Sequence, residues 1–293
     1  MSPNPCQPSG KQPPASASQH SPQDAARQSN PLPGVKHIIA VGAGKGGVGK
    51  STVAVNLAVG LARAGKVTGL LDGDIYGPSV PTLLALHDDV PQGTADTIFP
   101  FFTHGIKTMT IGKLVEPEKA LIWRGPMAHG AFRQLALQTD WGELDYLVID
   151  LPPGTGDVPL TLAQMLPLDG AVIVCTPQRV AQDDAVRAVR MFQQLDIPVL
   201  GVVENMSYFI GDDGREYDIF GKGGAVAMAH KLDLPVLGTI PIHTQLRANS
   251  DNGTPLKNFE GNEQLGNELM SMVRATIAAV DQHKADRPTL SIS

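Results

Sequence analysis

The sequence predicts an α/β fold: a doubly wound, mostly parallel sheet with helices on both faces. Three observations predict it. Short runs of Val, Ile and Leu recur from Val35 onward, they alternate with amphipathic stretches of helical period, and the first run ends in a glycine-rich turn. Runs this continuous in aliphatic residues suit strands covered on both faces, as parallel strands with helical crossovers are.

The elements follow in order. VKHIIAVGA is the first strand, STVAVNLAVGLARAG the helix after the turn, and KVTGLLD the second strand. YLVID, GAVIVCT, VLGVVEN and VLGTIP are later strands. Between GAVIVCT and VLGVVEN, Ala185, Val189 and Phe192 fall at helical spacing, and Asp196-Ile197-Pro198 stops that helix. Leu265, Leu269, Val273, Ile277 and Val280 make a last helical stripe. Both stripes are expected to face the core.

Residues 1–34 are rich in Pro, Ser and Gln and carry almost no large apolar side chains, so they cannot offset the entropy of ordering. A disordered arm is expected there, then one domain over 35–282 and a flexible tail at 283–293. The net charge of -6, with no cluster of Lys and Arg, argues against nucleic-acid binding. No stretch reaches the ~20 apolar residues that span a bilayer, and the arm resembles neither a signal sequence nor a transit peptide. No membrane partner is expected, and the cytoplasm is the expected compartment. Cys6 and Cys175 lie far apart, which excludes a disulfide framework and a C-x-x-C metal site and suits a reducing interior.

Two motifs overlap in VGAGKGGVGKST. Gly42 to Gly47 satisfies the dinucleotide fingerprint G-x-G-x-x-G, with Asp72 where a ribose-binding acid would sit. The frame from Gly44 satisfies G-x-x-x-x-G-K-S/T, and Lys50 decides for it, because a dinucleotide fold gives no role to a Lys-Ser pair at the helix start. In that frame the backbone N–H groups from Gly46 through Gly47, Val48 and Gly49 to Lys50 cradle phosphates. Lys50 neutralises the β and γ oxygens, and the Ser51 hydroxyl ligates Mg²⁺, with Thr52 beside it in the first helical turn.

LLDGDIYGPS carries Asp72 and Asp74 at the end of the second strand, pointing to opposite sides. Asp74 is expected to orient the attacking water and Asp72 to stand near the magnesium shell; the competing assignment is a solvated turn with a helix cap. YLVIDLPPGTGD ends its strand in Asp150, a magnesium-binding acid, and Gly154 lets backbone approach a γ-phosphate. Together these groups specify nucleoside triphosphate hydrolysis coupled to conformational change, with catalysis by positioning and charge and no covalent nucleophile.

The pattern around Lys45, GKGGVGKS, resembles the deviant Walker A loop of the dimeric ATPases that include the Min and Par positioning proteins, nitrogenase iron protein and arsenite ATPase. The resemblance implies that Lys45 reaches across a nucleotide-bound homodimer to the partner's phosphates. LLDGDIYGPSVPTLL, WRGPM, YLVIDLPPGTGD, TPQ, ENMSYF, IFGKGGA and IPIHTQLR stand in an order similar to that of the Mrp-type iron-sulfur cluster carrier ATPases, over roughly residues 35–280. That resemblance implies adenine recognition by Asn205, whose amide both donates and accepts; a polar cap at a strand end is the alternative. It also implies a homodimer, client or scaffold proteins of iron-sulfur assembly, and a 4Fe-4S cluster shared between two C-x-x-C pairs.

This chain departs from that pattern. Where the cysteines would stand it reads Gly211-Asp212-Asp213-Gly214, and no cluster ligands are identified. Carboxylates match an iron-sulfur cluster poorly, since thiolates hold it, and Cys175, ending a buried strand, is expected to be inert. The leading expectation is a Mg-ATP-dependent homodimeric switch in cluster assembly or transfer. A Min/Par-like positioning ATPase and a nucleotide-gated binding module without a cluster of its own are the alternatives.

Overall fold

The computed structural model describes residues 31–75, 77–87, 89–113, 125–211 and 213–285. Residues 1–30 of the expected arm with Cys6, Trp123 and Arg124 of WRGPM, Asp212 and residues 286–293 of the expected tail lie outside the described residues.

Strand β1 (Val35–Gly42) leads through the glycine turn into α1 (Lys50–Arg63), then to β2 (Thr68–Asp72) and the short α2 (Val80–Leu83). Next come β3 (Gln92–Gly93), β4 (Ile98–Phe99), β5 (Phe101–Thr103) and β6 (Ile106–Thr110), then α3 (Gly125–Gln138) and β7 (Leu144–Asp150). The remainder is α4 (Asp157–Met165), β8 (Gly170–Cys175), α5 (Arg179–Gln194), β9 (Val199–Ile210), β10 (Glu216–Tyr217), α6 (Gly224–Lys231), β11 (Val236–Ile242), α7 (Thr244–Asp251) and α8 (Glu263–Ala285).

The main sheet has nine strands in the order β10-β9-β8-β1-β7-β2-β6-β5, with β11 also paired to β9. All pairs between β11 and β6 are parallel, and only β5 and β10 run antiparallel. Alternation along β1 explains the two layers. Ile38 and Ala40 pack with Phe132, Leu162, Val189 and Phe192 on one face, while Ile39 and Val41 pack with Leu57, Leu61, Leu269 and Val273 on the other. The doubly wound expectation holds, and both helical stripes face the core as read.

Three details differ. Leu32, inside the expected arm, is buried and its carbonyl accepts the Val35 N–H, because it is a large aliphatic side chain beside the first strand. At the other end α8 continues to Ala285, so residues 283–285 are helical. Strands β3 to β6 were not read from the sequence, since IKTMT mixes Lys and Thr with apolar residues and the others are two or three residues long. Among the described residues no helix is long and apolar enough to cross a membrane.

Candidate nucleotide site

The site stands at the carboxyl ends of β1, β2 and β7, where β1 lies between β7 and β8. The turn is tightly packed at both ends, Gly44 and Gly49. A Cβ on Gly44 would overlap the Asp184 carbonyl of α5, and one on Gly49 would overlap the Asn205 amide. Gly47 and Gly49 take φ of 80° and 81°, left-handed values that side chains resist. Val48 is buried between them, which pins the loop to the core. No side chain caps α1, so its first N–H groups remain for an anion. The resulting cavity of about 310 Å³ is lined by Lys45, Gly46, Gly47, Gly49, Lys50, Ser51 and Thr52, with Asp74 and Pro153 opposite. That lies at the lower end of the ~300–1,000 Å³ usual for small-molecule sites.

Lys50 is the centre of the charge arrangement. Its ammonium is 6% exposed, donates to Asp150 Oδ1 at 2.5 Å, and stands 3.6 Å from Asp74 Oδ2 and 3.4 Å from Ser51 Oγ. Asp72 and Asp150 are register partners on β2 and β7, so two fully buried carboxylates face one another. Burial, then the Asp150 charge, pushes the Asp72 carboxyl up to about 7. Asp150 is also raised, chiefly by burial, with Lys50 pulling the other way.

The expectation from sequence is that Asp72 stands near a magnesium shell. In the fold both its oxygens are engaged: Oδ1 accepts the Asp74 N–H at 3.0 Å and Oδ2 accepts Thr110 Oγ1 at 2.8 Å. Asp72 therefore orients the Asp74 turn, and Thr110, which the sequence reading missed, orients Asp72. Its signal is slight, a threonine at the end of a short strand.

A magnesium ion fits this donor set. Asp150 Oδ2 is buried with no hydrogen-bond partner among the described residues, a costly state that a cation or its water relieves. No three His, Cys, Asp or Glu among the described residues converge as a ready metal cage. The direct shell would then come from Ser51, phosphate oxygens and water, as suits a hard ion that keeps its waters.

The remaining expected residues fall around this centre. Lys45 is half-buried on the cavity wall and makes no ion pair among the described residues. Gly154 takes φ of 97°, and its N–H donates to Ala43 O at 2.8 Å, tying the loop after β7 to the phosphate loop. Asn205 is buried, and its Nδ2 donates to Val48 O at 2.8 Å. His243 caps α7, its Nδ1 accepting the Gln245 N–H.

The place of the expected cysteines is a closed hairpin. Asp213 accepts the Arg215 N–H at 3.1 Å and the Tyr217 hydroxyl at 2.8 Å, bonds that hold its carboxyl below the usual range. Phe209 and Tyr217 meet with ring centroids 6.4 Å apart. Cys175 is fully buried on β8, and burial together with the Glu204 charge pushes its thiol up to about 12. These residues do not fit an iron-sulfur cluster, which needs thiolates.

A family model described as "ParA: NUBPL iron-transfer P-loop NTPase" matches residues 34–277. The chain belongs to that family. The iron-sulfur cluster carrier protein of Synechocystis is 51% identical over 230 residues, covering 76% of this chain and 65% of its own length. The iron-sulfur cluster transfer protein NUBPL of Dictyostelium discoideum is 50% identical over 228 residues, covering 77% of this chain and 71% of its own. The chain thus spans about two thirds of the length of such relatives.

Among solved structures, the nucleotide-binding protein of Archaeoglobus fulgidus, in complex with ADP and with cobalt found, is 38% identical with a TM-score of 0.71, covering 84% of this chain and 96% of that one. The cell division ATPase MinD of Pyrococcus furiosus, 21% identical with a TM-score of 0.64 over 83% of this chain and 99% of its own, shares the fold.

Proposed function

We propose that the chain is a Mg-ATP-binding and hydrolysing homodimeric switch that takes part in iron-sulfur cluster assembly or transfer, with the cluster as cargo. The observation that carries the nucleotide part is the buried Lys50, held between Asp150 and Asp74 at the foot of a glycine-built anion cradle. A buried ammonium on one carboxylate is poised to exchange it for phosphate oxygens, which outbid a carboxylate in charge and donor capacity.

Lys50 would move onto the β and γ oxygens as the triphosphate enters, and the N–H groups of Gly46 to Lys50 would surround it. Magnesium, when bound, would neutralise charge developing on those oxygens, held by Ser51 and, through water, by Asp150. Asp74, freed from Lys50, would orient the attacking water. Gly154 would give up Ala43 O to reach the γ-phosphate, so the loop after β7 senses whether that group is present. Lys45, without an ion pair among the described residues, would reach a partner copy's phosphates.

The partners in this reading are a second copy of the chain and client or scaffold proteins that hold the cluster. The test is phosphate release from Mg-ATP by wild type and by Asp74→Ala. Slow release by wild type that stalls in the variant, with ATP still bound, supports the reading; equal release by both would remove Asp74 from the mechanism.

A further inference from the structure

Glu204 is the least expected group in the core. It stands in β9, one residue before Asn205, and is 1% exposed. Among the described residues no Lys or Arg pairs with it. A carboxylate buried without a cation is costly unless hydrogen bonds replace its water. Three do: Oε1 accepts Ser207 Oγ at 2.5 Å, and Oε2 accepts the N–H groups of Ala225 at 2.7 Å and Val226 at 3.3 Å at the start of α6.

Capping α6 needs only one of those oxygens. The other staples Glu204 to Ser207 across an irregular piece of strand. Asn205 on β9 pairs with Ile240 on β11, but the next recorded pair is Phe209 with Ile242, so β9 advances four residues while β11 advances two. Inside this bulge Met206 takes φ of 55°, a left-handed value disfavoured for a residue with a side chain. Bulges re-aim side chains. This one aims Asn205 at the phosphate loop, where its Nδ2 meets Val48 O and lies against Gly49. One amide proton is used there, and Oδ1 makes no hydrogen bond among the described residues, leaving a donor and an acceptor for a base edge.

We propose that Glu204 and Ser207 are positioning residues for nucleotide-base recognition, holding the β9 bulge so that the Asn205 amide faces the base of the bound nucleotide. The inference rests on the reading of Asn205 as the base contact. The same carboxylate ties the bulge to the first turn of α6. The bulge stays formed only while both arms of the staple are made.

The test compares two probes by calorimetry, Mg-ATP and inorganic tripolyphosphate, which carries the phosphates without the base. Ser207→Ala removes one hydroxyl and leaves the α6 cap intact. It is expected to weaken Mg-ATP about three- to tenfold, the range of one typical lost hydrogen bond, while tripolyphosphate binding stays the same. Glu204→Gln is expected to do the same with a larger loss, and Ser207→Ala decides the matter should the Gln variant not fold. Unchanged ATP affinity in Ser207→Ala, or equal losses for both probes, would overturn the inference. Asn205→Ala is the control: if it fails to separate ATP from tripolyphosphate, the base-contact reading itself falls, whereas separation there with none in Ser207→Ala defeats only the staple.

Discussion

Two regions of one sheet were built to different standards. At β1, β2 and β7, one buried ammonium stands among Asp150, Asp74 and Asp72, and an Asp150 oxygen has no hydrogen-bond partner among the described residues. At the β9–β10 hairpin, Asp213 is satisfied by Arg215 and Tyr217, the aromatic rings meet each other, and no thiol is present. The first arrangement is incomplete without a ligand, and the second is complete as it stands. Among the described residues, the first region is built for a charged ligand and the hairpin offers no thiolate for a cluster.

The largest effect should come from breaking the first region. Lys50→Ala leaves buried carboxylates with no cation and a cradle with no phosphate partner, so Mg-ATP affinity is expected to fall at least about a hundredfold in calorimetry. Unchanged affinity would end the phosphate-loop assignment. Next, Lys45→Ala should weaken the dimer formed with a non-hydrolysable ATP analogue by about tenfold, read by sedimentation, since it removes one charge-assisted contact to phosphate. A dimer of unchanged strength would confine Lys45 to its own subunit.

Smaller effects test the second region. Gly214→Cys places a side chain at φ of 74°, and a loss of ~1 kcal/mol in denaturant unfolding is expected. Equal stability would show the hairpin is less constrained than its bonds indicate. The Tyr217→Phe change removes the hydroxyl from Asp213 and should lower stability only slightly in denaturant unfolding because the pair is exposed, with ATP affinity untouched. Smallest of all, Cys175, with its thiol near 12, should resist alkylation in the native protein at neutral pH and react only after unfolding, as peptide mapping would show. Rapid native labelling would mean that β8 opens.

Much of the first region was legible because its chemistry is local. Lys50 and Ser51 follow the glycines directly, and Asp150 ends a strand whose aliphatic run announces it. The fold was legible for the same reason, from strands long enough to show a pattern. Long-range partners were not: Thr110 meets Asp72 across 38 residues, and Ala225 meets Glu204 across 21. Glu204 reads in sequence as an ordinary polar end to VLGVVEN, and only the bulge after it reveals a buried acid. The partners of Asp72 were not legible because alternation along a strand gives a direction but not the bonds waiting there.

In the proposed function the chain switches on nucleotide with its own residues and meets a cluster only as cargo held by others. The most direct test is iron and acid-labile sulfide per protomer after anaerobic reconstitution of the full chain. Neither is expected above background in wild type. Near-stoichiometric iron and sulfide, lost in Cys6→Ser or Cys175→Ser, would contradict it and place a cluster site on this chain.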